Sequence, residues 1–177
     1  MTTPLMKDRL DEQAIIDLAS VLSSVVEDID SADFIEQANK GIAGLELKQR
    51  VSVLIVLLAE FLPNEFEKAA LCLLKIAVTD ERKEQWGDFT AWPLVDYASI
   101  YGLEHPKLSL KVLKHLTPLF SAEFAIRPFI EQHEALTYTT LLDWTEDGDE
   151  HVRRLASEGA RPRLPWGKQL KNWIENP

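Results

Sequence analysis

His151–Gly167 reads HVRRLASEGARPRLPWG. Val152, Leu155, Ala156 and Gly159 recur at i, i+3, i+4 and i+7, the spacing of one apolar helix stripe. Gly159 suits a helix end, and the two prolines of Arg161–Pro165 forbid a continuous helix. The unit is an amphipathic helix followed by a stiff turn. The same unit recurs outward from this stretch in both directions.

Downstream, Lys168–Ile174 reads as a short closing helix. Upstream, Thr137–Thr145 pairs with Asp149–Ser157 across Gly148. Ser121 suits the cap of a helix reaching about His133, kinked by Pro128. Pro106 suits the first turn of a helix through Leu108–Leu116, which Pro118 interrupts. A helix from Trp92–Pro93 ends at Gly102, and the polar stretch Thr79–Ala91 reads as a connecting loop. Asn64 and Glu67 open a helix to about Val78. Glu46–Leu62 is apolar nearly all round and reads as central to the core. Asp30 or Ser31 caps a helix that Gly41 and Gly44 end, and Asp11–Asp28 carries a helical apolar period. No strand period persists. About ten helices with short turns fit stacked antiparallel pairs, near the ~40–47 residues per pair of HEAT or armadillo repeats. The expected fold is all-α, a degenerate HEAT-like solenoid forming a single domain over residues 1–177.

The chain has 177 residues, 46% hydrophobic and 27% charged, as in a globular domain. Cys72 is the single cysteine, so no intramolecular disulfide can form; its apolar neighbours suggest a buried, inert thiol. No apolar run approaches the ~20 residues of a membrane span, and no signal peptide is evident. The expectation is a cytoplasmic protein without membrane contact. The net charge of −10 argues against a polyanionic partner until its distribution is considered. Residues 1–103 hold nine basic and eighteen acidic side chains, and residues 104–177 hold ten and eleven. Within His151–Lys171, six basic residues face one acid, Glu158. An acidic body with one basic patch can bind a polyanion locally.

On the 149–159 helix, Arg153, Arg154, Ser157 and Glu158 fall on the solvent side. Arg154 and Glu158 are four apart and can touch. By itself that is a surface ion pair worth under about 1 kcal/mol. The loop Arg161-Pro-Arg-Leu-Pro-Trp166 holds its cations and indole on a proline-stiffened backbone, a plausible phosphate contact. The competing reading is an irregular inter-helix loop with Trp166 packed as core. Glu123 and Phe124 near a helix start are unremarkable alone. Trp86, Trp92, Trp144 and Tyr138 read as packing. The four histidines show no metal-ligand spacing and there is no Gly-rich phosphate loop, so no metal and no cofactor are expected.

VRRLASEGARPRLPW, together with LFSAEFAIRPFI (Leu119–Ile130) and TLLDWTEDGDEHVRRL, resembles the AlkC branch of the HEAT-like DNA alkylation repair glycosylases. The resemblance is clear over about Leu108–Trp173 and weaker before it. It implies a cradle for alkylated double-stranded DNA and excision of cationic N-alkylated bases such as 3-methyladenine. It also implies action on the nucleotide without full base flipping. By this resemblance Glu158, Trp166 and Glu123 are the expected catalytic residues. Phe124, Arg154, Arg161, Arg163 and Lys168 are the expected DNA-binding ones, with Arg154 fixing the Glu158 carboxylate. Family members continue past the RPRLPW block into further repeats that add a site aspartate, and some into an immunoglobulin-like domain. The chain is therefore expected to be the N-terminal part of that architecture, its cradle completed by further repeats or by self-association. The alternative expectation is a non-catalytic helical-repeat binding or scaffold module derived from that family.

Overall fold

A computed structural model of the chain describes residues 5–86 and 89–175. After a 3-10 turn at Met6–Arg9 come α1 (Glu12–Val25), α2 (Ser31–Ile42), α3 (Leu47–Phe61), α4 (Phe66–Leu74), α5 (Asp80–Trp86) and α6 (Trp92–Tyr101). α7 (Pro106–Leu116), α8 (Arg127–Gln132), α9 (Glu134–Trp144), α10 (Glu150–Gly159) and α11 (Lys171–Glu175) follow. The described residues contain no strand. The architecture is all-helical, as the apolar periods imply. The packing runs α1 on α2, α2 on α3, α3 on α6, α6 on α7 and α7 on α9, with α9 also packed on α8 and α10. α4 closes on α7.

Local chemistry sets the boundaries. Asp11 accepts from the Ala14 N–H at 3.1 Å and starts α1; Asp30 accepts from Asp33 at 3.0 Å and starts α2. Gly44, at φ 73°, supplies the left-handed turn after α2. Gly41 does not end that helix but lies inside it, close against Val53 of α3. α6 is the most enclosed helix, with Leu94, Val95 and Ala98 at 0% exposure between α3 and α7. α3 is less central than its composition suggests. Leu54 and Leu58 are fully buried, while Val56 is 56% exposed.

Three further boundaries, and the burial of one side chain, differ from the sequence reading. Thr79–Ala91 is not all loop. The Thr79 hydroxyl accepts from the Arg82 N–H, Lys83 pairs with Asp80 at 3.0 Å, and Trp86 buries itself as the anchor of α5. A polar helix held by one large apolar side chain shows no period. Ser121 does not cap a helix to His133. Residues 121–126 turn, and Pro128 sits in the first turn of α8, where its missing N–H costs nothing. Asn64 likewise does not cap: α4 begins after Glu65. Cys72 is half-buried rather than buried.

Candidate functional site

The RPRLPW loop is held from below by a residue that the periodicity does not single out. Arg127 is 1% exposed at the start of α8. Its Nη1 donates to the carbonyls of Gly159 (3.0 Å) and Arg161 (2.9 Å), Nη2 to Pro162 (3.2 Å), and Nε to Lys168. A buried guanidinium thus collects four carbonyls at the end of α10 and along the loop, of which Pro162 also accepts from the Leu170 N–H. Burial lowers its pKa, and the nearby Glu131 carboxylate opposes that shift. Gly159 lets α10 approach closely: a Cβ there would sit 2.8 Å from Ile126. The signal for Arg127 was a single cation inside the apolar segment Ala125–Ile130.

Above this support stand the expected site residues. Glu123 is 9% exposed in the 121–126 turn. Its Oε1 accepts from the Ser121 hydroxyl at 2.8 Å and meets Arg154 Nη2 at 2.9 Å. Glu158 meets Arg161 Nη1 at 2.7 Å. The expected Arg154–Glu158 pair is therefore replaced by two others. Glu123 is the more enclosed carboxylate and gains more from a counter-charge, while the loop brings Arg161 back over Glu158. Arg161 is shifted further toward its charged form, first by the hydrogen bond and charge of Glu158, and more weakly by Glu123. Both carboxylates therefore lie within electrostatic reach of one guanidinium.

Trp166 is 90% exposed at φ 64°. The left-handed region costs a non-glycine residue about 1–2 kcal/mol. An indole held there by its neighbours and facing water is not packing, so the reading of Trp166 as core is corrected. Gly167 follows against the Phe124 ring, which is 37% exposed. Arg163 is exposed with no ion-pair partner among the described residues, whereas Lys168 pairs with Glu131.

Trp166, Gly167, Lys168 and Phe124 form one wall of an open cleft of about 820 Å³. α3 lines it with Val51, Ser52 and Ile55, and α6 contributes Trp92 and Asp96. Trp92 stacks on Phe120 at 5.1 Å between ring centroids and 13° between planes. Trp92, read from sequence as packing, thus lines a cavity. Its indole N–H donates to Asp96 Oδ2 at 2.7 Å. Burial raises the Asp96 carboxyl from 3.8 to about 6, and the Trp92 hydrogen bond only partly offsets this. Among the described residues no basic side chain forms an ion pair with it, and no group of His, Cys, Asp and Glu is spaced for a metal.

A carboxyl whose pKa is raised by folding opposes folding once it ionises. The penalty is absent below about pH 4, grows between there and pH 6, and is complete above. Asp96→Asn is accordingly expected to raise stability at pH 7.5 by about 1–2 kcal/mol, discounted for partial exposure. That is roughly 3–6 °C in thermal midpoint for a chain of this size. The gap should close at pH 4. Thermal unfolding at the two pH values checks it, and a variant no more stable than wild type at pH 7.5 would contradict it.

No family model matches the chain. Over 126 residues it is 38% identical to the uncharacterized protein YhaZ of Bacillus subtilis (strain 168), an alignment covering 71% of this chain and 34% of that protein. Among solved structures it superposes on the Pseudomonas fluorescens alkylpurine DNA glycosylase AlkC, determined bound to DNA containing an abasic site analog. The TM-score is 0.84 at 31% identity, covering 99% of this chain and 48% of AlkC. The chain thus spans half or less of the length of these relatives. The chain is similar to AlkC in both fold and sequence, in line with the resemblance carried by the SEGARPRLPW block.

Proposed function

From its kinship with an alkylpurine DNA glycosylase, we propose that this chain takes part in DNA alkylation repair by hydrolysing the N-glycosidic bond of cationic N-alkylated bases such as 3-methyladenine in duplex DNA. The observation that carries the reading is a pair of arginine-held carboxylates, Glu123 and Glu158, both within electrostatic reach of Arg161 on the loop that exposes Trp166 in a left-handed backbone. Alkylation makes the base a good leaving group. As the C1′–N bond breaks, its electron pair goes to the base and cancels the base's charge, while positive charge develops on the sugar. Glu123 and Glu158 stabilise that charge electrostatically. Water then adds to C1′ and gives up a proton, for which Glu158, the more open carboxylate, is the acceptor.

Arg163 serves as a phosphate contact and Trp166 presents its indole face to the lesion. Arg154, Arg161 and Lys168 are each tied to a carboxylate, so they shape the site more than they add net positive charge. The reading extends to the longer architecture, in which this chain forms the HEAT-like N-terminal portion of the DNA cradle and acts in the cytosol. Among the described residues no helix is long and apolar enough to cross a membrane.

The test is release of 3-methyladenine from methylated duplex DNA by the 177-residue chain, with DNA affinity measured at low and high salt. Release above the spontaneous rate, with affinity falling as salt rises, is the expected result. A folded protein that releases no base and binds DNA without salt dependence would be a scaffold module instead.

A further inference from the structure

A separate recess of about 280 Å³ lies between α5, residues 117–121 and α10. Lys83, Thr117, Ser121, His151 and Arg154 supply its polar lining, and among the described residues no acidic side chain lines it. These groups hold donors that the fold leaves unspent. The buried Thr117 hydroxyl accepts from the Ala122 N–H at 3.2 Å, and among the described residues it gives its own proton to no acceptor. The half-buried His151 ring carries an N–H in either tautomer. It makes no hydrogen bond or ion pair among the described residues. Arg154 spends Nη2 on Glu123 and leaves Nε and Nη1 without an acceptor there. Lys83 meets only Asp80, a carboxylate 93% exposed, in a surface pair worth under about 1 kcal/mol. Donors from three segments, with no acid among them, suit a ligand that only accepts: an anion with several oxygens.

The recess is tied to the carboxylates. Arg154 lines it and meets Glu123 Oε1, and the Ser121 hydroxyl that lines it donates to the same oxygen at 2.8 Å. We propose that the recess seats one phosphodiester of the DNA backbone beside the lesion, with Lys83, Thr117 and His151 as its contacts and Arg154 bridging that phosphate to Glu123. The identity of the anion rests on the glycosylase reading; the preference for an anion rests on the unspent donors. Only backbone enters the recess, so every base stays in the stack. A seated phosphate fixes the strand's register and holds a neighbouring sugar toward Glu123. Lys83, Thr117 and His151 are therefore positioning residues. Every nucleotide offers the same phosphate, so the seat holds damaged and undamaged DNA alike, and discrimination is left to the carboxylates.

The test uses the intact chain with Lys83→Gln and His151→Ala, each first checked for a wild-type thermal midpoint. Fluorescence anisotropy with undamaged duplex DNA should show each variant binding about threefold to tenfold more weakly at low salt. For Lys83→Gln the slope of log affinity against log salt should become shallower by about one. A short duplex with one tetrahydrofuran abasic-site analog then fixes the register, and a single neutral methylphosphonate is walked along it. At one position the methylphosphonate should weaken the wild-type chain but cost Lys83→Gln nothing further; elsewhere the two losses should add. No DNA binding by the wild-type chain, wild-type affinity and salt slope in both variants, or additive losses at every position would overturn the assignment. Inorganic phosphate offers the same oxygens. If it shifts the His151 ring resonances while neither variant changes DNA binding, the recess is a free-anion site and the DNA assignment falls. Base release reads the glycosylase proposal independently. A chain whose variants lose DNA affinity as expected but which releases no base keeps the seat and loses the activity. One that releases base, with both variants at wild-type KM, keeps the activity and loses the seat.

Discussion

Glu158→Gln is expected to lower 3-methyladenine release by about a hundredfold, the scale of removing one preorganised electrostatic contact to a developing charge. That is about 2.7 kcal/mol of transition-state stabilisation. The amide keeps an oxygen for Arg161, so the loop should hold its place while the negative charge disappears. DNA affinity should stay level or rise slightly, because one repulsive charge beside the phosphates is gone. The loss should therefore fall on kcat and not on KM. Single-turnover release from methylated duplex, alongside a binding isotherm at fixed salt, separates the two. Release at the wild-type rate would remove Glu158 from the chemistry and leave Glu123 as the sole candidate.

The largest effect on stability is expected at Arg127. Arg127→Met keeps much of the volume but strands the carbonyls of Gly159, Arg161 and Lys168 inside the protein, while Pro162 keeps the Leu170 N–H. Each buried acceptor left without a donor costs about 1–3 kcal/mol, reduced where water can enter. A total near 3–5 kcal/mol is expected, or roughly 10 °C in thermal midpoint. Arg127→Lys should rescue little of it, since an ammonium cannot reach four acceptors in the geometry of a planar fork. Thermal unfolding, with proteolysis across residues 160–170, checks this. A shift of only a degree or two would mean that the loop holds its shape without the arginine.

The helices and most of their ends are legible in the sequence because capping residues and apolar periods act locally. Asp11, Asp30 and Asp149 each cap the helix they precede. α5 was hidden because a single buried tryptophan, Trp86, holds it. The candidate residues follow from the resemblance carried by VRRLASEGARPRLPW and LFSAEFAIRPFI, but their pairing does not. Spacing on one helix points Arg154 at Glu158. The actual partners come from the 121–126 turn and from the loop, which only the fold brings near. Asp96 escaped for the same reason. One acid in an apolar helix carries no motif, and its environment is built by Phe120 and Trp166, which lie 24 and 70 positions away.

Arg127 grips main-chain oxygens, and every amino acid supplies the same oxygen. The scaffold beneath the loop is therefore indifferent to which side chains the loop displays. Arg161, Arg163 and Trp166 can be exchanged over generations, or by a protein engineer, with little penalty to folding. Evolution is free to retune this fingertip for a new lesion while the hand that holds it stays the same.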